Sequence, residues 1–388
     1  MISLFVVAFL LLLVYAGLLL YYRFAWLQIP VFKAGVPGAA CTTFITVLIP
    51  ARNEESNLPL LLDSLQAQSY PSHLFEVIVI DDHSTDATVA VANQYANVKV
   101  LSLKDFMAAG AINSYKKKAI EIGIQHSRGT LIVTTDADCY ATPNWLQTIA
   151  GFYETNQPEL IVMPVAINCS AKAIEIFQAL DFMTLQGITG AAVHQKQLSM
   201  CNGANLAYTR KAFDAVKGFD GIDSIASGDD MLLMHKIAVQ FPGRIAYLKS
   251  PEVIVQTAPV HTVKAFFNQR IRWASKADQY EDKRIFWVLL LVYCFNVMLL
   301  ALPIIAIGAA LLWSMGYGPW TIVKTWLVLI LLKTIAELLF LYPVAKFFRK
   351  QSLMWLFPLA QPFHILYTVV AGWLGKFGSY QWKDRTVK

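Results

Sequence analysis

The chain is poor in charge: Asp, Glu, Lys and Arg make up 15% of its 388 residues, against 56% apolar. That balance argues against a wholly soluble protein and for a membrane protein with a soluble part. Cysteine is scarce. Cys41, Cys139, Cys169, Cys201 and Cys294 are scattered with no C-x-x-C spacing, so neither a zinc site nor a disulfide framework is indicated and the thiols read as buried and reduced. No long basic run accompanies the net charge of +6. This argues against nucleic acid as a partner and for anionic lipid headgroups or a phosphate-bearing substrate. The first β-branched run is followed by PARNEE (50–55), not by a G-x-G-x-x-G turn, which argues against a dinucleotide-dependent oxidoreductase. No Ser-His-Asp or Cys-His set stands out for nucleophilic catalysis.

Long apolar runs are present. Ile2 to Tyr22 is almost uncharged, and about 20 apolar residues cross a bilayer. No basic segment precedes the run and no small-residue cleavage site comes after it, so it reads as an anchor (residues 1–25) and not as a signal peptide. Arg23 and Lys33 behind it predict that the chain beyond them is cytoplasmic. Three further apolar segments lie near 286–313, 320–343 and 353–375, within a C-terminal membrane region at 285–376 that precedes a basic tail at 377–388. Ser314 to Pro319 reads as an external turn, and Lys346, Arg349 and Lys350 as cytoplasmic. Pro358 and Pro362 interrupt the last segment, and a full crossing would put the basic tail outside. Re-entry or an interfacial position is the alternative. Lys333 and Glu337 inside the apolar run share one helix face. They are either a mutual ion pair or part of a path for a polar headgroup.

Residues 40–260 have mixed polarity and read as one globular domain. Phe44–Pro50 and Glu76–Ile80 are short β-branched runs flanking a helical pattern at Asn57–Gln68, a βαβ unit. Further strands are predicted at Val98–Ser102, Thr130–Thr134 and Leu160–Val165, with a helix at Lys116–His126. The fold class is α/β with a mostly parallel sheet, and ligands then bind beyond the carboxyl ends of the strands.

Chemistry stands at those ends. Asp81 and Asp82 follow VIVI, and Asp136 and Asp138 follow LIVTT. Each pair alone reads equally as a turn. Two pairs at strand ends favour a divalent cation, because Mg²⁺ and Mn²⁺ join one or two carboxylates to substrate phosphates. A third pair, Asp229-Asp230, opens a helical pattern, with Ser227 or Asp229 near its start. It is either an N-cap or the source of a general base. QRIRW (269–273) lies in an aromatic and basic stretch, 261–284, that suits an interfacial amphipathic helix. Its arginines equally suit phosphate oxygens.

The ordered set IPARNEE (49–55), VIDDHSTDAT (79–88), TTDADC (134–139), GDDMLL (228–233) and QRIRW resembles the inverting family 2 glycosyltransferases of GT-A fold, over roughly 43–275. The resemblance implies that Ala51, Arg52, Glu54 and Asp82 line the nucleotide pocket, and that Asp136 and Asp138 are the D-x-D metal ligands, Asp138 the direct one. It implies Asp230 as catalytic base with Asp229 beside it. Gln269, Arg272 and Trp273 would hold the diphosphate, Trp273 bordering the acceptor near Asn202 and Gly203. Asn202–Asn205 reads otherwise as a turn. Lys116 falls where members carry a phosphate-contacting lysine, although Tyr115 replaces the usual glycine before it. The implied donor is a nucleotide sugar, with uridine diphosphate first and guanosine diphosphate second. The small membrane region and the ending QWKDRTVK, similar to W-K-G-R with Asp384 for Gly, imply a lipid acceptor of the ceramide, diacylglycerol or polyprenoid type. A processive polysaccharide synthase is the alternative, and a nucleotide-binding sensor would have no use for Asp230 beside a metal site. The implied location is the inner membrane, with the catalytic domain cytoplasmic.

Overall fold

The structure is a computed structural model. It describes residues 2–33, 41–107, 114–198, 200–225, 228–275, 283–312, 318–377, 380–382 and 385–387. The expected turn beyond residue 312 lies outside the described residues up to 317, as do Ser227 and, in the basic tail, Lys383, Asp384 and Lys388. The helices are α1 (Ile2–Gln28), α2 (Leu58–Gln66), α3 (Thr88–Ala92), α4 (Tyr115–Gln125), α5 (Trp145–Asn156), α6 (Ala173–His194), α7 (Arg210–Ala215), α8 (Met231–Gln240), α9 (Val263–Ala274), α10 (Lys283–Leu312), α11 (Pro319–Phe347) and α12 (Phe357–Phe377). The chain forms two compact units: residues 28–168 with 188–259, and residues 1–27 with 169–187 and 260–388.

The first unit is built on a seven-stranded sheet. In spatial order its strands are Val98–Ser102 (β3), Phe75–Asp81 (β2), Ile45–Ala51 (β1), Leu131–Thr134 (β4), Leu206–Thr209 (β8), Leu160–Val162 (β6) and Ile245–Tyr247 (β9). A smaller sheet orders Cys139–Tyr140 (β5), Val255–Thr257 (β10) and Val165–Ile167 (β7). β3, β2, β1 and β4 pair in parallel, and β8 runs antiparallel to both β4 and β6. β1 and β4 are buried along nearly their whole length, as a sheet covered on both faces requires. One expectation is corrected: the run from Leu160 to Val165 is two strands in different sheets, parted at Met163-Pro164. Proline has no N–H for a ladder and ends the pairing of β6.

Among the described residues, the second unit holds four helices long and apolar enough to cross a membrane by length and composition: α1, α10, α11 and the stretch containing α12. α12 continues through Pro362. α1 is packed into this unit, with Leu12, Tyr15, Leu19, Tyr22 and Trp26 buried. Its Tyr15 hydroxyl donates to Glu337 Oε1 (2.6 Å), Arg23 donates to the Leu339 carbonyl, and the Trp26 ring meets Phe347 edge-on. These contacts advance together along both helices, so α1 and α11 run parallel. Lys333 Nζ donates to Glu337 Oε1 and Gln361 Oε1, each at 2.7 Å, and the Gln361 amide donates back to Glu337. The charges inside the apolar run thus form a mutual pair, closed by Gln361 and Tyr15.

Candidate active site

Parallel strands end on one edge. The pairing of β1 with β2 runs to Ala51 opposite Asp81, and that of β1 with β4 to Leu48 opposite Thr134. The same edge therefore carries Ala51, Asp81, Asp82 and the segment from Asp136. β8 runs the other way, with Leu206 opposite Thr134, so the residues leading into it, Asn202–Asn205, reach this edge as well. Thr134 Oγ1 donates to the Gly203 carbonyl (3.0 Å) and fixes that approach.

Two clusters form there. In the first, the chain bends after each strand through a left-handed residue, Asn53 and His83, each at φ 53°. Neither is glycine, and such conformations hold only where neighbours enforce them. Asn53 Oδ1 accepts from the Thr85 N–H (2.9 Å), and His83 Nδ1 lies 3.2 Å from Asp82 Oδ1. Arg52 Nη1 donates to the Asp82 carbonyl (2.8 Å), and Glu54 accepts from the Asn57 side chain (2.8 Å) at the head of α2. Asp81 and Asp82 are buried. The Asp81 carboxylate accepts from the Ser84 N–H (3.1 Å) and the Ser102 hydroxyl (3.3 Å), so it holds the turn together.

The second cluster is carboxylate-rich. Lys116 Nζ donates to Asp136 Oδ1 (2.7 Å) and lies 3.2 Å from Asp229 Oδ2. The Gly203 N–H donates to Asp230 Oδ2 (3.0 Å), and the Met231 N–H to Asp230 Oδ1 (2.7 Å). Asp230, not Ser227 or Asp229, is the N-cap of α8. The capping role and the proximity to the acidic cluster belong to the same residue. Burial opposes the charge on Lys116, but Asp136, Asp229 and Asp230 outweigh it and raise its pKa. Tyr115, in place of the usual glycine, is buried edge-on to the His83 ring (centroids 5.7 Å apart), linking the clusters. Glycine at 203 has a steric reason: a Cβ there would stand 3.0 Å from Asp229 Oδ2 and 3.3 Å from Lys116 Nζ. The Asn202 side chain accepts from the Ala204 N–H (2.9 Å).

Among the described residues no three His, Cys, Asp or Glu side chains are grouped to enclose a metal ion. What the site offers is hard carboxylate oxygen, with an ammonium already seated on Asp136. That donor set fits a hard divalent cation whose remaining ligands come from substrate and water. Cys139 is buried beside Asp138, and burial followed by Asp138 and Asp136 pushes its thiol pKa up, away from the thiolate a metal needs.

Gln269, Arg272 and Trp273 stand on α9, in the unit of apolar helices. There Phe266, Arg270 and Ile271 are buried, so the aromatic and basic alternation marks a packed helix as much as an interfacial one.

Two residues of the site, Lys117 and Tyr208, were missed in the sequence, and Asn205 was named only as the end of the Asn202–Asn205 segment. Lys117 is 1% exposed, and its ammonium donates to the carbonyls of Ile222 (2.5 Å) and Ile225 (2.8 Å), holding the loop that leads to Asp229. Its spacing to Ile120 and Ile124 puts it on the apolar face of α4, a signal that was readable. Asn205 is fully buried, accepting from Trp145 Nε1 (3.0 Å) and donating to the carbonyls of Pro164 and Val253 (2.7 Å each). The Tyr208 hydroxyl is buried with no hydrogen-bond partner among the described residues, and burial and then Asp229 raise its pKa. Nothing local in the sequence marks Tyr208.

Residues 46–217 match the model of the family described as Glycosyl transferase family 2. The chain is 32% identical to the dodecaprenyl-phosphate galacturonate synthase of Rhizobium johnstonii, over 30% of this chain and 35% of that protein. It is 25% identical to the beta-monoglucosyldiacylglycerol synthase of Synechocystis sp., over 61% of this chain and 48% of that protein. It thus spans about a third to a half of the length of these curated relatives. The mannosyltransferase PcManGT of Pyrobaculum calidifontis, solved with GDP-Man and Mn²⁺, superposes with a TM-score of 0.55 at 18% identity, covering 96% of this chain and 98% of that one. At that identity the likeness speaks for the fold alone.

Proposed function

From a chain whose residues 46–217 belong to glycosyl transferase family 2, we infer a membrane-bound enzyme that moves a sugar from a nucleotide-sugar donor to a lipid acceptor, with inversion. One observation carries the reading: Lys116 meets Asp136 and Asp229 at the carboxyl ends of the parallel strands, with Asp230 beside them. The acceptor class rests on the diacylglycerol and dodecaprenyl-phosphate relatives together with four apolar helices. The cytoplasmic placement of the catalytic unit, in the inner membrane, rests on Arg23, Lys346, Arg349 and Lys350 at the ends of the parallel helices α1 and α11.

Ala51, Arg52, Glu54 and Asp82 border the nucleoside, and the two left-handed turns keep that pocket preformed. Asp136 and Asp138 would hold Mg²⁺ or Mn²⁺, which when bound neutralises charge on the departing diphosphate. Lys116 is placed to give up a carboxylate for a phosphate oxygen. By the family signature, Gln269, Arg272 and Trp273 would supply further donors to the leaving group, and Asn202 and Gly203 would border the acceptor. Asp230, aided by Asp229, takes the proton of the acceptor hydroxyl as that oxygen attacks the anomeric carbon and the bond to the diphosphate breaks. One displacement suffices, with no second nucleophile. The test is a screen of radiolabelled UDP- and GDP-sugars with protein purified in detergent. A single organic-extractable band supports the reading. A water-soluble high-mass ladder would replace it with a processive synthase, and full turnover in excess EDTA would remove the metal.

A further inference from the structure

Of the arginines in the α9 signature, Arg270 is engaged inside its own unit. Arg270 is 4% exposed and points into its unit. Its Nε (3.0 Å) and Nη2 (2.7 Å) both donate to Oδ2 of Asp181, on α6. The other Asp181 oxygen accepts from the Tyr367 hydroxyl of α12 and lies 4.0 Å from His364 Nε2. The carboxylate is thus occupied on both oxygens, and the guanidinium charge is neutralised in place.

Arg270 also touches two of the three signature residues. Its Nη1 donates to Gln269 Oε1 (2.8 Å), and its Cζ lies 4.2 Å from the Trp273 ring centroid, with Phe266 at 4.6 Å on another side. A planar guanidinium can pair with a carboxylate at its edge and stack through its face at once, which lysine cannot do. Phe182, next to Asp181, meets the Trp273 ring as well (centroids 5.9 Å apart). Arg272, two positions along, faces elsewhere on the helix.

We propose that Asp181, acting through Arg270 and held by Tyr367, is the positioning residue that fixes Gln269 and Trp273. The proposal rests on the functional reading above. Asp181 touches no substrate: it removes the positive charge of Arg270 from competition and sets the ring plane of Trp273.

The test uses the full chain in detergent, with UDP- and GDP-sugars as donors and diacylglycerol or polyprenyl phosphate as acceptors. Asp181→Leu combined with Arg270→Met removes both charges together, so neither is left buried alone. A pair that served stability alone would leave kcat unchanged in this variant. Positioning predicts a fall in kcat of at least about tenfold, with donor KM changed less than about threefold, because contacts to the leaving group strengthen in the transition state. Tyr367→Phe deletes one hydroxyl, leaves an Asp181 oxygen short of a donor, and is expected to lower kcat by about threefold together with a modest fall in unfolding temperature. A kcat within about twofold of wild type in the double variant overturns the proposal. If the double variant does not fold, an unchanged kcat in Tyr367→Phe does so alone. Wild-type protein that transfers sugar from none of the donors sinks the functional reading instead.

Discussion

Lys116→Gln should strengthen metal binding while weakening catalysis. The ammonium occupies Asp136 Oδ1 at 2.7 Å and stands 3.2 Å from Asp229, the side chains being 23%, 38% and 12% exposed. Unit charges about 4 Å apart interact by about 4 kcal/mol at an effective dielectric of about 20. Solvent around Asp136 screens most of this, and exposed pairs are worth about 0–1 kcal/mol net. Asp229 is better shielded, so about 1–2 kcal/mol of competition with a cation at Asp136 is a reasonable figure for the pair. Removing it frees a ligand oxygen and deletes a nearby positive charge, so Mn²⁺ affinity of the donor-free protein should rise by about tenfold. kcat/KM for the donor should fall by about tenfold or more, since a phosphate-neutralising cation is gone. Isothermal titration with Mn²⁺ and steady-state assays on one preparation measure both. Metal affinity that is unchanged or weaker would refute the seating of a cation at Asp136. Unchanged kcat/KM would refute the role of Lys116 at the phosphates.

Asp230→Asn should reduce transfer by about 100-fold or more with donor affinity nearly intact, and cost about 1 kcal/mol of stability through the α8 cap. Wild-type kcat would leave Asp230 as a cap alone. Lys333→Met should lower stability by about 3–5 kcal/mol, because Glu337 stays buried without its partner, whereas Lys333→Met with Glu337→Met should recover most of the loss. Thermal unfolding in detergent compares the two, and equal losses would argue against a closed pair. Burial lowers the pKa of Lys249 to about 8. The unfolded chain then binds more protons between pH 8 and the unfolded lysine value of about 10.4, so this residue makes stability rise with pH across that window. Lys249→Met should flatten that part of the curve, and an unchanged slope would show that Lys249 is solvated.

The parallel half of the sheet was legible because β-branched runs and the period of α2 are local signals, and β3 (Val98–Ser102) was placed to the residue. The Asp pairs were legible because strand ends are. The antiparallel entry of β8 was not, because LAYT carries no mark of direction, and with it went Tyr208 and the buried bonding role of Asn205. Pro164 should have divided the Leu160–Val165 run, since proline does not continue a central strand. Arg270 looked interchangeable with Arg272 in QRIRW. Only the partner on α6, far away in sequence, marks Arg270 as an arginine that holds the helix in its unit.

The N-terminal helix has a practical consequence for anyone making a shortened protein. An anchor that merely tethers can be deleted or exchanged for any apolar segment. Here deletion strips the Tyr15 hydroxyl from Glu337, the Arg23 guanidinium from the Leu339 carbonyl of α11 and the Trp26 ring from Phe347. A generic leucine-rich anchor would restore the tether and none of these contacts. Expression trials that keep α1 intact, or that graft Tyr15, Arg23 and Trp26 at their helical spacing onto a foreign anchor, are the ones expected to yield monodisperse enzyme.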